Sequence, residues 1–204
     1  MLMAPLALVS GDAGDAPSDA ALVARARAGD RSATASLYAR HVERVRRIVA
    51  RIVGVGPELD DLVQDAFVAA FRRLSSLRDA SAFGPWLDAV SVGEARHHLR
   101  AQARRRWLSF RAPSDVPDVA APSLLDPARD AAKAATSILS SMPTDLRIAF
   151  SLRRVDGRSL EEAASMCRVS LATFKRRMQR ADAFFQERAR DHAALAHYFS
   201  ETTT

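Results

Sequence analysis

The chain has 204 residues, enough for one medium domain or two small ones. With 48% apolar and 26% charged residues its composition is globular, which excludes a disordered polymer. No apolar run approaches the roughly 20 residues of a membrane-spanning helix, a single cysteine cannot staple a secreted scaffold, and a net charge of +6 points to a polyanionic partner.

Residues 1–18 read as a flexible tail. Their short apolar run lacks a basic flank and meets acidic residues at once, unlike a signal peptide. A short helix follows from about Asp19 to Ala28, stopped by Gly29. Val45, Ile48, Val49, Ile52 and Val53 repeat at three-four spacing, and Leu37 and Tyr38 extend that face backwards. Gly54, Gly56 and Pro57 break the chain before the strongest pattern, Leu59, Leu62, Val63, Ala66, Phe67, Ala70, Phe71 and Leu74. A fourth helix is expected from about Phe83 to Arg106, with Phe83, Trp86, Leu87, Val90 and Leu99 inward.

Residues 108–130 change character. Four prolines and four aspartates predict an extended acidic connector. Helical patterns resume at Ala131–Met142, Thr144–Val155, Leu160–Cys167 and Leu171–Arg190. Ser159 and Glu162 have capping-box spacing, and Ser170 is a second N-cap before a basic helix. Two helices joined by a tight turn match a helix-turn-helix, although the turn lacks the usual glycine. Phe174, Met178, Ala181 and Phe185 face inward in this reading, and Thr173, Arg176, Arg177 and Arg180 face out. No alternating strand pattern occurs. The expectation is an all-α chain of two small helical domains, 19–107 and 131–190, joined by a flexible linker and followed by an extension at 191–204.

Positive charge is segregated. Arg96, Arg100, Arg104, Arg105, Arg106 and Arg111 lie in and just after the fourth helix, opposed only by Glu94. Arg168, Lys175, Arg176, Arg177, Arg180, Arg188 and Arg190 lie at the end, opposed by Asp182 and Glu187. Each is a solvated face or a phosphate-binding face; a helix-turn-helix favours the second. The helix from Leu59 carries Glu58, Asp60, Asp61, Gln64 and Asp65 opposite its apolar stripe. That surface is a solvated face, a docking face for a basic partner, or a carboxylate metal site. The last reading suffers because every carboxylate comes from one helix. His97 and His98 are adjacent, so they point different ways on a helix and make a poor metal pair. No cofactor is implied. Cys167, just before the turn, reads as a small buried residue.

The blocks at 19–41, 58–74 (ELDDLVQDAFVAAFRRL) and 83–90 (FGPWLDAV) together resemble region two of bacterial RNA polymerase sigma factors, most nearly the extracytoplasmic-function type. The block at 142–181 resembles their region four. The resemblance implies that Asp61, Gln64 and Asp65 dock on the clamp helices of the largest subunit of core RNA polymerase. It implies that residues of about 81–106, with Arg96, His97, Arg100, Arg104 and Arg105 as contacts, read and melt the minus-ten promoter element. It implies that Ser170, Thr173, Lys175, Arg176, Arg177 and Arg180 read the minus-thirty-five element in the major groove. A cytoplasmic, nucleoid-associated protein without membrane insertion, able to meet an anti-sigma factor, is the corresponding expectation. No catalytic residue is expected.

One departure from the family pattern is local. Ser91, Val92 and Gly93, then Glu94, stand where relatives carry Ala-Arg-Asn and small apolar residues, and His97-His98 replaces an Asp-His pair. Stacking candidates are few: Phe83 and Trp86 sit at core spacing, and Trp107 either stacks on DNA or packs on the linker. A stand-alone helix-turn-helix regulator is the alternative, and it leaves the acidic helix idle. A metal-dependent nuclease fits least, since no carboxylate set converges from separate elements.

Overall fold

The computed structural model describes residues 17–109, 127–192 and 195. Among them are eight α-helices and no strand. The first bundle holds α1 (Asp19–Arg27), α2 (Arg31–Val53), α3 (Leu59–Arg72) and α4 (Phe83–Ser109), with 3-10 turns at Leu74–Ser76 and Ala80–Ala82. The second holds α5 (Pro127–Ser141), α6 (Thr144–Phe150), α7 (Leu160–Cys167) and α8 (Leu171–Arg190). The tail, most of the acidic connector and most of the C-terminal extension lie outside the described residues.

Local chemistry sets the helix ends. Ser18 caps α1 by accepting from the Ala21 amide at 3.3 Å, and Gly29 turns the chain at φ +90°. Asp30 caps α2 by accepting from the amides of Ser32 and Ala33 at 2.8 and 3.2 Å. The Ser32 hydroxyl and the Arg25 guanidinium beside Asp30 hold its carboxyl far below the usual range. Gly54, at φ +94°, ends α2. Pro127 opens α5, a position where its missing N–H costs nothing, so the helix begins inside the proline-rich stretch.

The apolar stripes close the first core. Leu59, Leu62, Val63, Ala66, Phe67 and Ala70 of α3 are buried against Leu37, Val45 and Val49 of α2 and Phe83, Leu87 and Val90 of α4. Buried polar ties fix the helices further. Arg44 of α2 donates to Asp88 of α4, Nε to Oδ1 at 2.8 Å, and the His41 imidazole meets the Asp19 carboxylate at 2.8 Å. Arg27 reaches the Leu74 carbonyl at 3.1 Å, and the Leu77 carbonyl as well, pinning the turn after α3.

The stripe on α2 serves two cores. Val45 and Val49 face the first bundle, whereas Ile48 and Ile52 face the second. With Val92, Ala95 and Leu99 of α4 they form a continuous apolar cluster with Ile148, Ala149, Leu152, Ala163, Met166, Cys167 and Phe174. The two bundles therefore pack on each other. Leu99, expected inside the first bundle, is buried in this shared cluster instead.

The second bundle departs from its predicted outline again after α6. The pattern over Thr144–Val155 predicts one helix, but the backbone widens into a π turn at Ser151–Val155. Gly157, at φ +71°, completes the turn into α7. The missing glycine of the helix-turn-helix turn also has an explanation. Arg168 itself takes the left-handed conformation, φ 55° and ψ 46°, at the C-cap of α7. It is the sole non-glycine residue with positive φ among the described residues.

Gly93 is not needed for packing. A Cβ built on it meets nothing within 4 Å. Gly93→Ala is expected to raise stability by about 0.5–1 kcal/mol, by helix propensity and a less flexible unfolded chain. Denaturant unfolding checks it; a variant less stable than the parent contradicts the open space seen at Gly93.

Candidate functional site

Three surfaces carry the residues that the sequence singles out. On α3 the amphipathic pattern turns Leu62 and Val63 inward and leaves Asp61, Gln64 and Asp65 exposed together. Val68, 46% exposed, continues that stripe one turn on. Asp61 and Asp65 make no ion pair among the described residues, whereas Asp60 pairs with Arg46 and Glu58 with His98 at 3.1 Å. Asp60 and Asp61 also lie in the first turn, where negative charge suits the helix dipole. Asp65 has no such structural reason. The surface is an uncovered acidic patch with an apolar residue at its edge.

The second surface is the helix-turn-helix. The Ser159 hydroxyl accepts from the Glu162 amide at 3.1 Å and the Ser159 amide donates to the Glu162 carboxylate at 2.9 Å, the capping box its spacing predicts. That backbone contact holds the Glu162 carboxyl below its ordinary range. Ser170 caps α8, accepting from the Thr173 amide at 3.2 Å, and its hydroxyl lies 3.0 Å from the Thr173 hydroxyl. The Arg176 guanidinium donates to the same Thr173 hydroxyl at 3.3 Å. Lys175, Arg176 and Arg180 are exposed along one side of α8, and Phe174, Met178 and Ala181 are buried on the other.

Arg177 differs from the outward orientation expected of it. It is half-buried, and its guanidinium donates to the Asp145 carboxylate at 3.3 Å. The reason is the second bundle's position: α6 brings Asp145 between α8 and α4. Cys167 is buried as expected, and desolvation pushes its thiol up to about 11.

The third surface is α4. His97, Arg104 and Arg105 are exposed, and Arg100 is half open to solvent while reaching Asp145 at 3.2 Å. Arg96 is turned further in, its Nε 3.1 Å from the same carboxylate and its Nη2 3.4 Å from the Cys167 carbonyl. The side chain of Arg106 and the whole of Arg111 lie outside the described residues. Phe83 is fully buried and Trp86 partly so, while Trp107 is 65% exposed at the end of the helix. In the departure from the family pattern, the Ser91 hydroxyl is buried and donates to the Leu87 carbonyl at 2.8 Å, and Val92 belongs to the shared cluster. Both residues face inward in this arrangement.

Sequence reasoning missed the residues that join the bundles. Arg147, only 8% exposed, donates to the carbonyls of Ile52 and Val53 at 2.8 and 2.9 Å and so caps the C-terminus of α2 from the other bundle. Arg51 pairs with Asp156, which also accepts from Arg158 at 2.6 Å. Nothing in the sequence around Asp145 or Arg147 signals a distant partner. Among the described residues there is no group of three His, Cys, Asp or Glu side chains placed to hold a metal, and no helix long and apolar enough to cross a membrane.

Comparison with known proteins matches this geometry. Residues 37–105 fit the family model for sigma-70 region 2, and residues 133–181 that for sigma-70 region 4. The chain is 34% identical over 173 residues to the ECF RNA polymerase sigma-E factor of Escherichia coli strain K12, which covers 80% of this chain and 90% of that protein. It is 28% identical over 172 residues to the RNA polymerase sigma-H factor of Pseudomonas aeruginosa, covering 80% and 89%. Among solved structures, CnrH in complex with the cytosolic domain of CnrY superposes with a TM-score of 0.54 at 28% identity, covering 84% of this chain and 96% of that one. The sigma factor RpoE in complex with the anti-sigma factor NepR, from Bartonella quintana, shares the fold with a TM-score of 0.52 at 22% identity, covering 75% and 94%. The chain belongs to the sigma-70 family of RNA polymerase sigma factors, in its extracytoplasmic-function group, and is a DNA-binding transcription initiation factor.

Proposed function

We propose that the chain docks on core RNA polymerase through Asp61, Gln64 and Asp65, reads the minus-thirty-five element with α8, and holds the minus-ten strand along α4. The observation that carries this reading is the segregation of charge by helix: an uncovered acidic stripe on α3, and arginine-rich faces on α4 and α8. Arginine forks on α8 suit guanine edges and phosphates. Ser170 caps that helix, and its hydroxyl and that of Thr173 lie side by side at the helix N-terminus, where a phosphate is favoured. On α4, Arg100, Arg104 and Arg105 supply the cationic groove that a single strand needs, and His97 extends it.

An anti-sigma factor is the further partner proposed. RpoE of the same fold was solved with one, which supports the assignment. The chain itself carries no catalytic step; polymerase performs the chemistry.

The test is reconstitution. The full chain mixed with core RNA polymerase is expected to form a stable holoenzyme that protects promoter DNA upstream and downstream. In that holoenzyme, Arg176→Ala with Arg180→Ala is expected to weaken upstream protection by at least about thirtyfold and to leave core binding unchanged, because each bidentate arginine–base contact is worth about 1–3 kcal/mol. An unchanged upstream footprint would remove α8 as the reading helix.

A further inference from the structure

Three arginines assigned above to DNA share a single carboxylate. Arg96 and Arg100 come from α4, Arg177 comes from α8, and all three lie 3.1–3.3 Å from the Asp145 oxygens. Asp145 belongs to neither helix; it sits on α6, between them. A carboxylate ringed by guanidiniums is the arrangement a backbone phosphate would meet in the same place. The contact is also incomplete. Arg96 Nε and Asp145 Oδ1 are buried without an aligned hydrogen bond, and one negative charge faces three positive ones.

This closed arrangement is incompatible with reading two promoter elements. Elements named for positions ten and thirty-five lie about 25 base pairs apart, or about 85 Å along B-form DNA at ~3.4 Å per pair. Arg96 and Arg177 instead meet at one side chain. The bundles must separate before both elements can be held at once, and separation frees the same arginines that DNA requires.

We propose that Asp145 is an internal stand-in for DNA phosphate: it latches the second bundle onto α4, occupies Arg96, Arg100 and Arg177, and keeps the free chain shut against DNA. The inference rests on the DNA-binding reading of these arginines given above. Arg147 is the second part of the latch, through its hold on the end of α2. The excess of positive charge at the latch favours exchange once a polyanion or polymerase draws the bundles apart, because a row of phosphates can satisfy all three arginines where one carboxylate cannot.

The experiment uses the full chain, free of polymerase, and its Asp145→Asn variant, which keeps side-chain size and removes the charge. Small-angle scattering reads the dimensions. Fluorescence anisotropy on a 40-base-pair duplex of arbitrary sequence, across a salt series, reads DNA affinity. The variant is expected to be more extended than the parent and to bind the duplex about tenfold more tightly at low salt. Its plot of log affinity against log salt should be steeper by about 2–3, since each newly engaged phosphate adds about 0.9. Adding Arg177→Ala to Asp145→Asn should take back about one unit of that slope. Arg147→Ala, which cuts the neighbouring contact and leaves the DNA arginines in place, should give the same expansion and the same gain, and it stands in if the Asn variant misfolds. Unchanged dimensions in folded variants would overturn the latch and leave the DNA assignment standing. Expansion without any gain in affinity or slope would overturn the DNA assignment of these arginines, and with it the phosphate mimicry.

Discussion

The full chain carrying Asp61→Arg and Asp65→Arg is expected to lose at least a hundredfold in affinity for core RNA polymerase while its helicity and unfolding midpoint stay close to the parent's. Both side chains are exposed, neither makes an ion pair among the described residues, and the buried face of α3 is built from other residues. Reversing them therefore leaves the core untouched. The fold itself pays little: Asp61 is in the first turn, where an arginine forfeits about 0.3–1 kcal/mol of dipole interaction. Against a basic surface the same reversal sets two like charges in apposition, a cost of several kcal/mol, and a hundredfold is about 2.7 kcal/mol. A titration of labelled core enzyme with the two proteins decides it. Affinity within threefold of the parent would take the polymerase contact off this helix.

Phe174→Ala is expected to cost about 3–5 kcal/mol of unfolding free energy, the largest single effect on stability foreseen here. Phe174 is fully buried and belongs to the cluster shared by the two bundles. Its removal opens a cavity beneath the helix-turn-helix and under the contact with α4. The surrounding Ile148, Leu152 and Met178 come from separate elements, so collapse around the void is limited. Equilibrium denaturation measures the loss. A change under about 1 kcal/mol would show that the second bundle repacks freely and that this cluster is not what holds it. The two experiments separate surface from core: one abolishes a partner contact on an intact fold, and the other loosens the fold beneath an unaltered surface.

Local structure was readable because it depends on neighbours in the chain. Ser159 with Glu162, Ser170 before a basic run, and Gly29 and Gly54 after helical runs each act within one turn of helix, so their spacing carries the information. The bounds of α7 and α8 follow directly from these caps. The exposure of Asp61, Gln64 and Asp65 follows from the three-four spacing of their apolar neighbours. The π turn at Ser151–Val155 was not readable, because no proline or glycine interrupts the helical pattern there. Nor was the left-handed Arg168, which takes a conformation that glycine usually supplies.

What one dimension of information decided was the set of helices, their caps, the split of acidic from basic faces, and the family they indicate. Periodicity and short-range capping fix those, and both are properties of adjacent residues. What only the folded chain decided was which face meets which. Ile48 and Leu99 look like members of the first core and are buried against the second bundle; Arg177 looks like a surface cation and meets Asp145, 32 residues away in sequence. An apolar or charged side chain specifies that it needs a partner of a given chemistry, not which partner, and that choice is made by the geometry of the whole.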